Sequence, residues 1–334
     1  MPVRVYKPAV MLVATLAVGC SKTVAPESRS AAEPASARQQ AQLVELRRAL
    51  EQAARDGAAR ALNLLVECRR ENALVSMQVF GNGVGIWNDE RQFRLDDAAV
   101  IRLLRTLHAA DFAGMQDVYG GSPAAAQKSE ERATVASCRI NLALGGREKE
   151  SVQLNKGEQS AVLKRLAEDL LTIGEGPAAA GVTASSLSDG FEKIVRGELA
   201  PEACTILFHR RPEGTAAPGV SGFLMQVSGS TVTTQPYDPR NGYGEEIVRD
   251  LDVPAIRSLA REIAALDPAA WPVNLYARDY TDLSLRVLNH RKSIQARQFP
   301  NMHPATHGKR QADFDTLLTT LERLNAKVTG AIAR

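Results

Sequence analysis

The residues of this chain whose types and spacing bear on chemistry are few, and each carries a plainer competing reading. His303 and His307 stand four apart in FPNMHPATHGKR, and with His290 they would offer imidazoles to zinc or copper. Pro304 and Gly308 disfavour the helix that would set both rings on one face, and no HExxH glutamate accompanies them. The segment is therefore read as a solvated loop, and no metal or other cofactor is expected. Gly81, Gly83 and Gly85 imitate part of a phosphate-cradling run, but such a run opens a helix, and here a strand-like stretch follows. No GxSxG elbow and no Ser-x-x-Lys with partner motifs marks a nucleophile. His108 lies in line with Leu104 and Asp111 on an amphipathic stretch and reads as a helix-surface residue. The densest polar-aromatic group, Tyr276, Arg278, Asp279, Tyr280 and Asp282, stands ahead of a strand, and Tyr119 occupies a similar point upstream, so packing is the expected role of its tyrosine. No residue is assigned a catalytic role.

Cys68, Cys138 and Cys204 remain once Cys20 is set aside for the reason given below, an odd number that leaves at least one thiol free or paired between chains. Cys68 and Cys138 both fall on expected strands of one unit. A disulfide between them is one reading, and buried free thiols are the other. His209 and a position near Thr281 stand at the corresponding places downstream, so the fold is not expected to depend on such a bridge.

Residues 1–19 have the pattern of an export signal: Arg4 and Lys7, then the apolar run AVMLVATLAV at residues 9–18, too short to span a bilayer. The run Leu16-Ala17-Val18-Gly19-Cys20 resembles the lipobox of bacterial lipoproteins. The resemblance implies cleavage before Cys20, acylation of its thiol and amine, and firm anchoring, since several acyl chains do not readily dissociate. Ser21 stands where an aspartate commonly retains lipoproteins in the inner membrane, which implies the outer membrane with the body facing the periplasm. Removing residues 1–19 takes away two basic residues and no acidic one, leaving 39 basic against 38 acidic residues, a charge of +1. Without a basic run or interleaved aromatics, nucleic acid is not an expected partner.

The elements that must position these residues come in two copies. LDDAAVIRLLRTLHAAD from Leu95 returns as LDVPAIRSLAREIAALD from Leu251, so a shift of 156 pairs Leu103 with Leu259, Arg105 with Arg261 and Asp111 with Asp267. Each stretch reads as an amphipathic helix capped by Asp96 or Asp252, with Val100, Leu103, Leu107 and Ala110, or Ile256, Leu259, Ile263 and Leu266, forming the buried stripe. Upstream, Met77-Gln78-Val79 and Gly81 return as Met225-Gln226-Val227 and Gly229, and Arg69-Arg70 as Arg210-Arg211. Downstream, Ser151-Val152-Gln153 returns as Ser293-Ile294-Gln295.

Each unit reads as about three strands, with a tight turn at Asn82-Gly83 in the first, then a helix, two strands around a turn, and a closing helix. In the first unit Val162, Leu163, Leu166 and Leu170 of that closing helix face inward. The fold class is α+β: two tandem copies of an antiparallel sheet with helices on one face, after an N-terminal helix. The chain divides as signal peptide 1–19, lipidated tether 20–38, N-terminal helix 39–62, repeat one 63–173, a linker with a short helix 174–201, and repeat two 202–330. Leu43, Leu46 and Leu50 make too few heptads for a coiled coil, so the N-terminal helix is expected to dock on its own repeat. The order of an arginine-bearing first strand, glycine hairpin, helix and later strand pair resembles a domain family of unknown function in exported bacterial proteins, a resemblance that implies no known activity.

These readings point to a non-enzymatic interaction or structural module of the cell envelope, held in the membrane by its lipid and meeting an envelope protein. The alternative is a periplasmic protein binding a small ligand or metal, through the groove between repeats or the His303/His307 loop. An enzyme built at the cleft between repeats comes third.

Overall fold

The computed structural model describes residues 35–56, 62–70, 73–119, 136–154, 161–212, 222–298 and 307–330. Cys20, the export signal, residues 20–34 of the tether and His303 lie outside the described residues; the N-terminal helix, expected over 39–62, spans Ala35–Asp56, so it takes in the last four residues assigned to the tether, and Leu62 already belongs to the first strand. In chain order, α1 (Ala35–Asp56) precedes β1 (Leu62–Arg70), β2 (Ala73–Phe80), β3 (Val84–Trp87), β4 (Arg91–Arg94), α2 (Asp97–Ala109), β5 (Val118–Tyr119), β6 (Ala136–Leu144), β7 (Arg147–Leu154) and α3 (Ala161–Ala179). β8 (Val182–Thr183) and α4 (Leu187–Arg196) follow. The second set is β9 (Cys204–Arg211), β10 (Gly222–Ser228), β11 (Thr231–Asp238), β12 (Gly242–Tyr243), β13 (Ile247–Asp250), α5 (Val253–Leu266), β14 (Asn274–Tyr276), β15 (Tyr280–Val287), β16 (His290–Arg297) and α6 (Lys309–Thr329).

The duplicated helices are α2 and α5, and their sequences explain their ends. Asp96 accepts a hydrogen bond from the Ala99 N–H at 2.7 Å, and Asp252 accepts one from Ala255 at 2.8 Å, each satisfying a first-turn donor that has no partner within its helix. Past both C-termini the chain turns through an aspartate at positive φ, Asp111 at 49° and Asp267 at 45°, a region aspartate visits more readily than most residues. Val100, Leu103 and Leu107, and Ile256, Leu259 and Ile263, are buried as their period requires, while Arg102, Arg105, His108, Arg257 and Arg261 are exposed.

The two sheets share one topology. The first runs β5-β7-β6-β1-β2-β3-β4, and the second runs β14-β16-β15-β9-β10-β11, with β12 and β13 both pairing β11. The sheets are mixed rather than wholly antiparallel, because β5 lies parallel to β7 and β14 to β16. A short strand entering from a helical turn reaches that edge by crossing over the sheet, which leaves it parallel to its neighbour. Met77 and Met225 are both fully buried on the second strand of their sheets.

Pairing registers correct two of the sequence correspondences by one residue. Met77 pairs with Val66, and Met225 with Phe208, so Val66 matches Phe208 and Cys68 matches Arg210 rather than His209. Arg69 therefore matches Arg211, and Arg70 has no arginine counterpart. Likewise Ile140 pairs with Ser151 and Leu283 with Ile294, which sets Ile294 over Ser151 and not over Val152. A slip of one residue moves a side chain to the other face of a sheet, so these corrections decide which residues share a surface.

The turns and the connection between units also differ in detail. Gly81, Asn82 and Gly83 form a three-residue turn in which only Gly83 has positive φ, at 78°, a turn followed by a left-handed residue instead of a two-residue Asn-Gly turn. Residues 174–179, expected as linker, continue α3, and β8 then pairs with β4 as a further strand of the first sheet. Val162 is exposed, because the buried stripe of α3 runs through Leu163, Leu166, Ala167, Leu170, Leu171 and Gly174.

Helices cover one face of each sheet. Leu46, Leu50, Ala53 and Ala54 of α1 join the first core with the inward residues of β1 and β6, so this helix docks on its own repeat. α4 stands in the same place in repeat two. Arg47 of α1 reaches Asp111 at 2.7 Å, and Ser188 of α4 donates to Asp267 at 2.8 Å, the matching aspartate. Residues 41–334 form one compact unit, and the seam between repeats is filled. Ile86 and Phe80 pack into the second core, Asn82 donates to Glu202 at 2.7 Å, Gln92 accepts from the Ala200 N–H at 2.6 Å, and Arg286 pairs with Asp89 at 2.6 Å.

Candidate functional site

Strand alternation in β9 sends Cys204, Ile206 and Phe208 into the second core and turns Thr205, Leu207, His209 and Arg211 to the other face of the sheet, where they are only partly buried. Phe191 and Ile194 of α4, Leu259 and Ile263 of α5, and Phe314 and Leu317 of α6 join the inward face. The outward face is thus a platform of strand side chains, and its densest part is aromatic and basic.

His209 is the centre of that part. Its Nε2 lies 2.9 Å from the Tyr243 hydroxyl, and the rings of Tyr237 and Tyr243 stand 6.2 and 5.8 Å from its own. β12 brings Tyr243 there by pairing it with Tyr237 of β11. On the other side of β9, β15 places Asp282 opposite His209 and Tyr280 opposite Arg211. The Arg211 guanidinium lies over the Tyr280 ring, 4.4 Å from its centre, a geometry in which the ring's negative face attracts the cation. Arg211 Nε is buried and has no hydrogen-bond partner among the described residues. Farther along the face, Arg291 Nε donates to the hydroxyls of Ser284 and Ser293, each at 3.1 Å.

Burial sets the protonation states. It holds the His209 imidazole below its ordinary range, helped by the Arg211 charge, so the ring is neutral near pH 7. It pushes the Tyr243 phenol up, and raises Tyr280 too, with the hydrogen bond to Asp282 adding to the effect. The charge of the cluster therefore comes from Arg211 and Asp282.

The same face of the first sheet has diverged. Glu67 stands where His209 stands, and Arg139 where Asp282 stands. Arg139 lies 3.6 Å from Glu67 and 2.5 Å from Glu150, so these three charges are matched within that face, while the Arg69 Nε, in the place of Arg211, is likewise buried and has no hydrogen-bond partner among the described residues. Burial raises the Glu67 carboxyl, and Arg139 acts against that rise.

The candidate residues read from the sequence are partly dispersed. Within the Tyr276–Asp282 group, Tyr280 and Asp282 join the cluster. Asp279 turns inward to accept from Arg210 at 2.6 Å, and Arg210 also reaches Glu322 at 2.6 Å. Tyr276 exchanges backbone hydrogen bonds with the Gln311 side chain, and the Arg278 carbonyl accepts from Gln298. His290 and His307 do not meet. His290 begins β16 and donates Nε2–H to the Ala184 carbonyl at 2.8 Å, whereas His307 precedes α6, whose Gln311 binds Tyr276 beside the far end of β16. Those ends are about 23 Å apart at roughly 3.3 Å per residue. Among the described residues no group of three or more His, Cys, Asp or Glu is arranged to hold a metal ion.

Cys68 and Cys138 are directly opposed on β1 and β6 and joined as a disulfide within the first core. Arg210 and Thr281 occupy those places in repeat two. Cys204 is buried and its thiol is pushed up to about 12, which leaves it inert as a nucleophile. His209, Arg211, Tyr237 and Tyr243 escaped the sequence reading because they come from three strands that pair only in the folded chain. The one local signal was the polar residues Thr205, His209 and Arg211 alternating with the apolar Ile206 and Phe208. No protein-family model matches the chain, and no curated protein matches it.

Proposed function

We propose that this chain is a lipid-anchored lipoprotein of the cell envelope, its body facing the periplasm, acting as a non-enzymatic interaction module. The observation that carries the reading is the open face of the second sheet, where Tyr237, Tyr243, Tyr280, His209 and Arg211 cluster beside Leu207 and Leu224. Tyrosine and arginine are, with tryptophan, enriched where protein partners bind tightly, tyrosine because it buries large area with little loss of side-chain freedom and keeps a polar tip, arginine because its planar fork offers several donors. Duplication left two matched faces: in one, Glu67 in the place of His209 is paired with Arg139, while the other keeps its histidine among tyrosines. The cluster lies on a sheet face rather than in a recess that would shield a reacting group from water, which favours binding over catalysis. The export signal and the lipobox ending at Cys20 support the anchor, and no helix among the described residues is long and apolar enough to cross a membrane.

The test is a photo-crosslinking amino acid placed at Tyr243 in the full-length protein in its native cell, with His108 on the exposed surface of α2 as the control site. A discrete envelope-protein adduct from Tyr243 and none from His108 is expected. Absence of any adduct from Tyr243 sinks the reading.

A further inference from the structure

Resting on that reading, we infer that the open face of the second sheet recognises an acidic protein segment, with Arg211 and Arg291 as its carboxylate-binding pair. The outward positions of β9, β15 and β16 include Arg211, Arg286 and Arg291 beside the carboxylate of Asp282. Arg286 is committed to Asp89 across the seam. Arg211 and Arg291 are held in place by neutral groups instead: one guanidinium is stacked on Tyr280, and the other is fixed by two serine hydroxyls. A planar guanidinium positioned by stacking or by its Nε keeps its terminal N–H groups for a carboxylate, which it can meet with two parallel hydrogen bonds. Positioning before contact also lowers the freedom lost on binding.

The spacing selects a macromolecular partner. The Arg211 guanidinium lies over Tyr280, and the Arg291 Nε reaches Ser284, four residues farther along β15, so the two groups stand about 13 Å apart at roughly 3.3 Å per residue. One small anion cannot bridge them, whereas an extended acidic segment of about four or five residues can. Between them lie Asp282 and His209, with Leu207, the tyrosines and Leu224 alongside. A surface mixing apolar, hydroxyl and aromatic side chains in this way suits a polypeptide better than a densely charged polymer.

The full-length protein in detergent is tested for binding to immobilised poly-L-glutamate at low salt, alongside Arg211→Gln/Arg291→Gln and a control, Arg102→Gln/Arg261→Gln, on the exposed faces of α2 and α5. Vesicles containing phosphatidylglycerol serve as a second probe. Wild type and control should bind poly-L-glutamate in a salt-sensitive way, and the Arg211/Arg291 variant should bind about tenfold or more weakly. Melting curves establish that the variant is folded; should it not be, Arg291→Gln alone, at an exposed side chain, is scored by the same criterion. Equal weakening in the control, no binding by wild type, or vesicle binding that depends on the same two arginines would overturn the inference. A Tyr243 adduct that persists after any of those outcomes leaves the interaction module standing and removes only the acidic partner. Loss of the adduct itself removes both.

Discussion

Glu67 and His209 hold the same place in their repeats, and the difference between them is what separates a closed face from an open one. Glu67 is paired with Arg139, while His209 is kept neutral by burial and by Arg211, and its Nε2 is hydrogen-bonded with the Tyr243 hydroxyl. That neutrality has a cost at low pH. The unfolded chain takes up a proton at the ordinary histidine value of 6.5, whereas the folded ring resists it, so stability falls as pH drops below 6.5 and stops falling below the depressed folded value. His209→Gln should remove this component: between pH 7.5 and about pH 5, the urea midpoint of wild type should drop more than that of the variant. Equal drops would mean that His209 titrates in the folded protein as it does in the unfolded one. At this scale the sequence was least informative. Alternation along β9 was visible, but the register was not, and a one-residue slip put His209 over Cys68, on the wrong face. A second divergence was invisible for the same reason. Leu288 adopts a positive φ of 51° at the turn where repeat one has Gly145. Its side chain is buried in the second core and its N–H donates to the Ala203 carbonyl at 2.9 Å. Packing against the seam thus outweighs the local preference for glycine.

The duplicated helices were the most legible elements, since caps and the 3.6-residue period are both local and both repeat. Their faces can be tested directly. Leu103→Ala and Leu259→Ala should each cost about 2 to 5 kcal/mol, and Arg102→Ala and Arg257→Ala should change stability by about 0.5 kcal/mol or less, as read from denaturant melts. Arginine variants as damaging as the leucine ones would mean that the helices face another way. The end of α3 was misread for an instructive reason. Gly174, Gly176 and Pro177 look like a breaker cluster, yet Gly174 is buried, and a Cβ there would come 2.2 Å from the Met77 sulfur. The glycine lets the helix approach its sheet, and the packing gained sustains the helix through weak local formers. Gly174→Ala, stabilising in an ordinary exposed helix, should here lower stability by about 1 to 3 kcal/mol. An increase in melting temperature would show that α3 does not close on the sheet at this point.

At the scale of the molecule, the repeat was legible because a long periodic match survives divergence, whereas the joining of the two units was not, because the contacts that join them are unique to one copy. Asn82–Glu202, Asp89–Arg286 and the β4–β8 pairing have no internal counterpart to reveal them. The stretch read as a linker with a short helix does contain that helix, α4, but it also carries the end of α3 and a strand paired with β4, so duplication produced one body with two sheet faces instead of two bodies on a hinge. The anchor is separable from that body: Cys20→Ala should shift the protein from the membrane to the soluble periplasmic fraction while leaving its melting curve unchanged, and continued sedimentation with membranes would contradict the lipobox reading. The central claim is that only one of the two matched faces binds. Leu65 and Leu207 occupy the same outward place on β1 and β9 and are both partly buried. A photo-crosslinking residue at each of these positions, in otherwise identical full-length protein, compares the faces directly. The account predicts an envelope-protein adduct from position 207 and none from position 65, and an equal or stronger adduct from position 65 would contradict it.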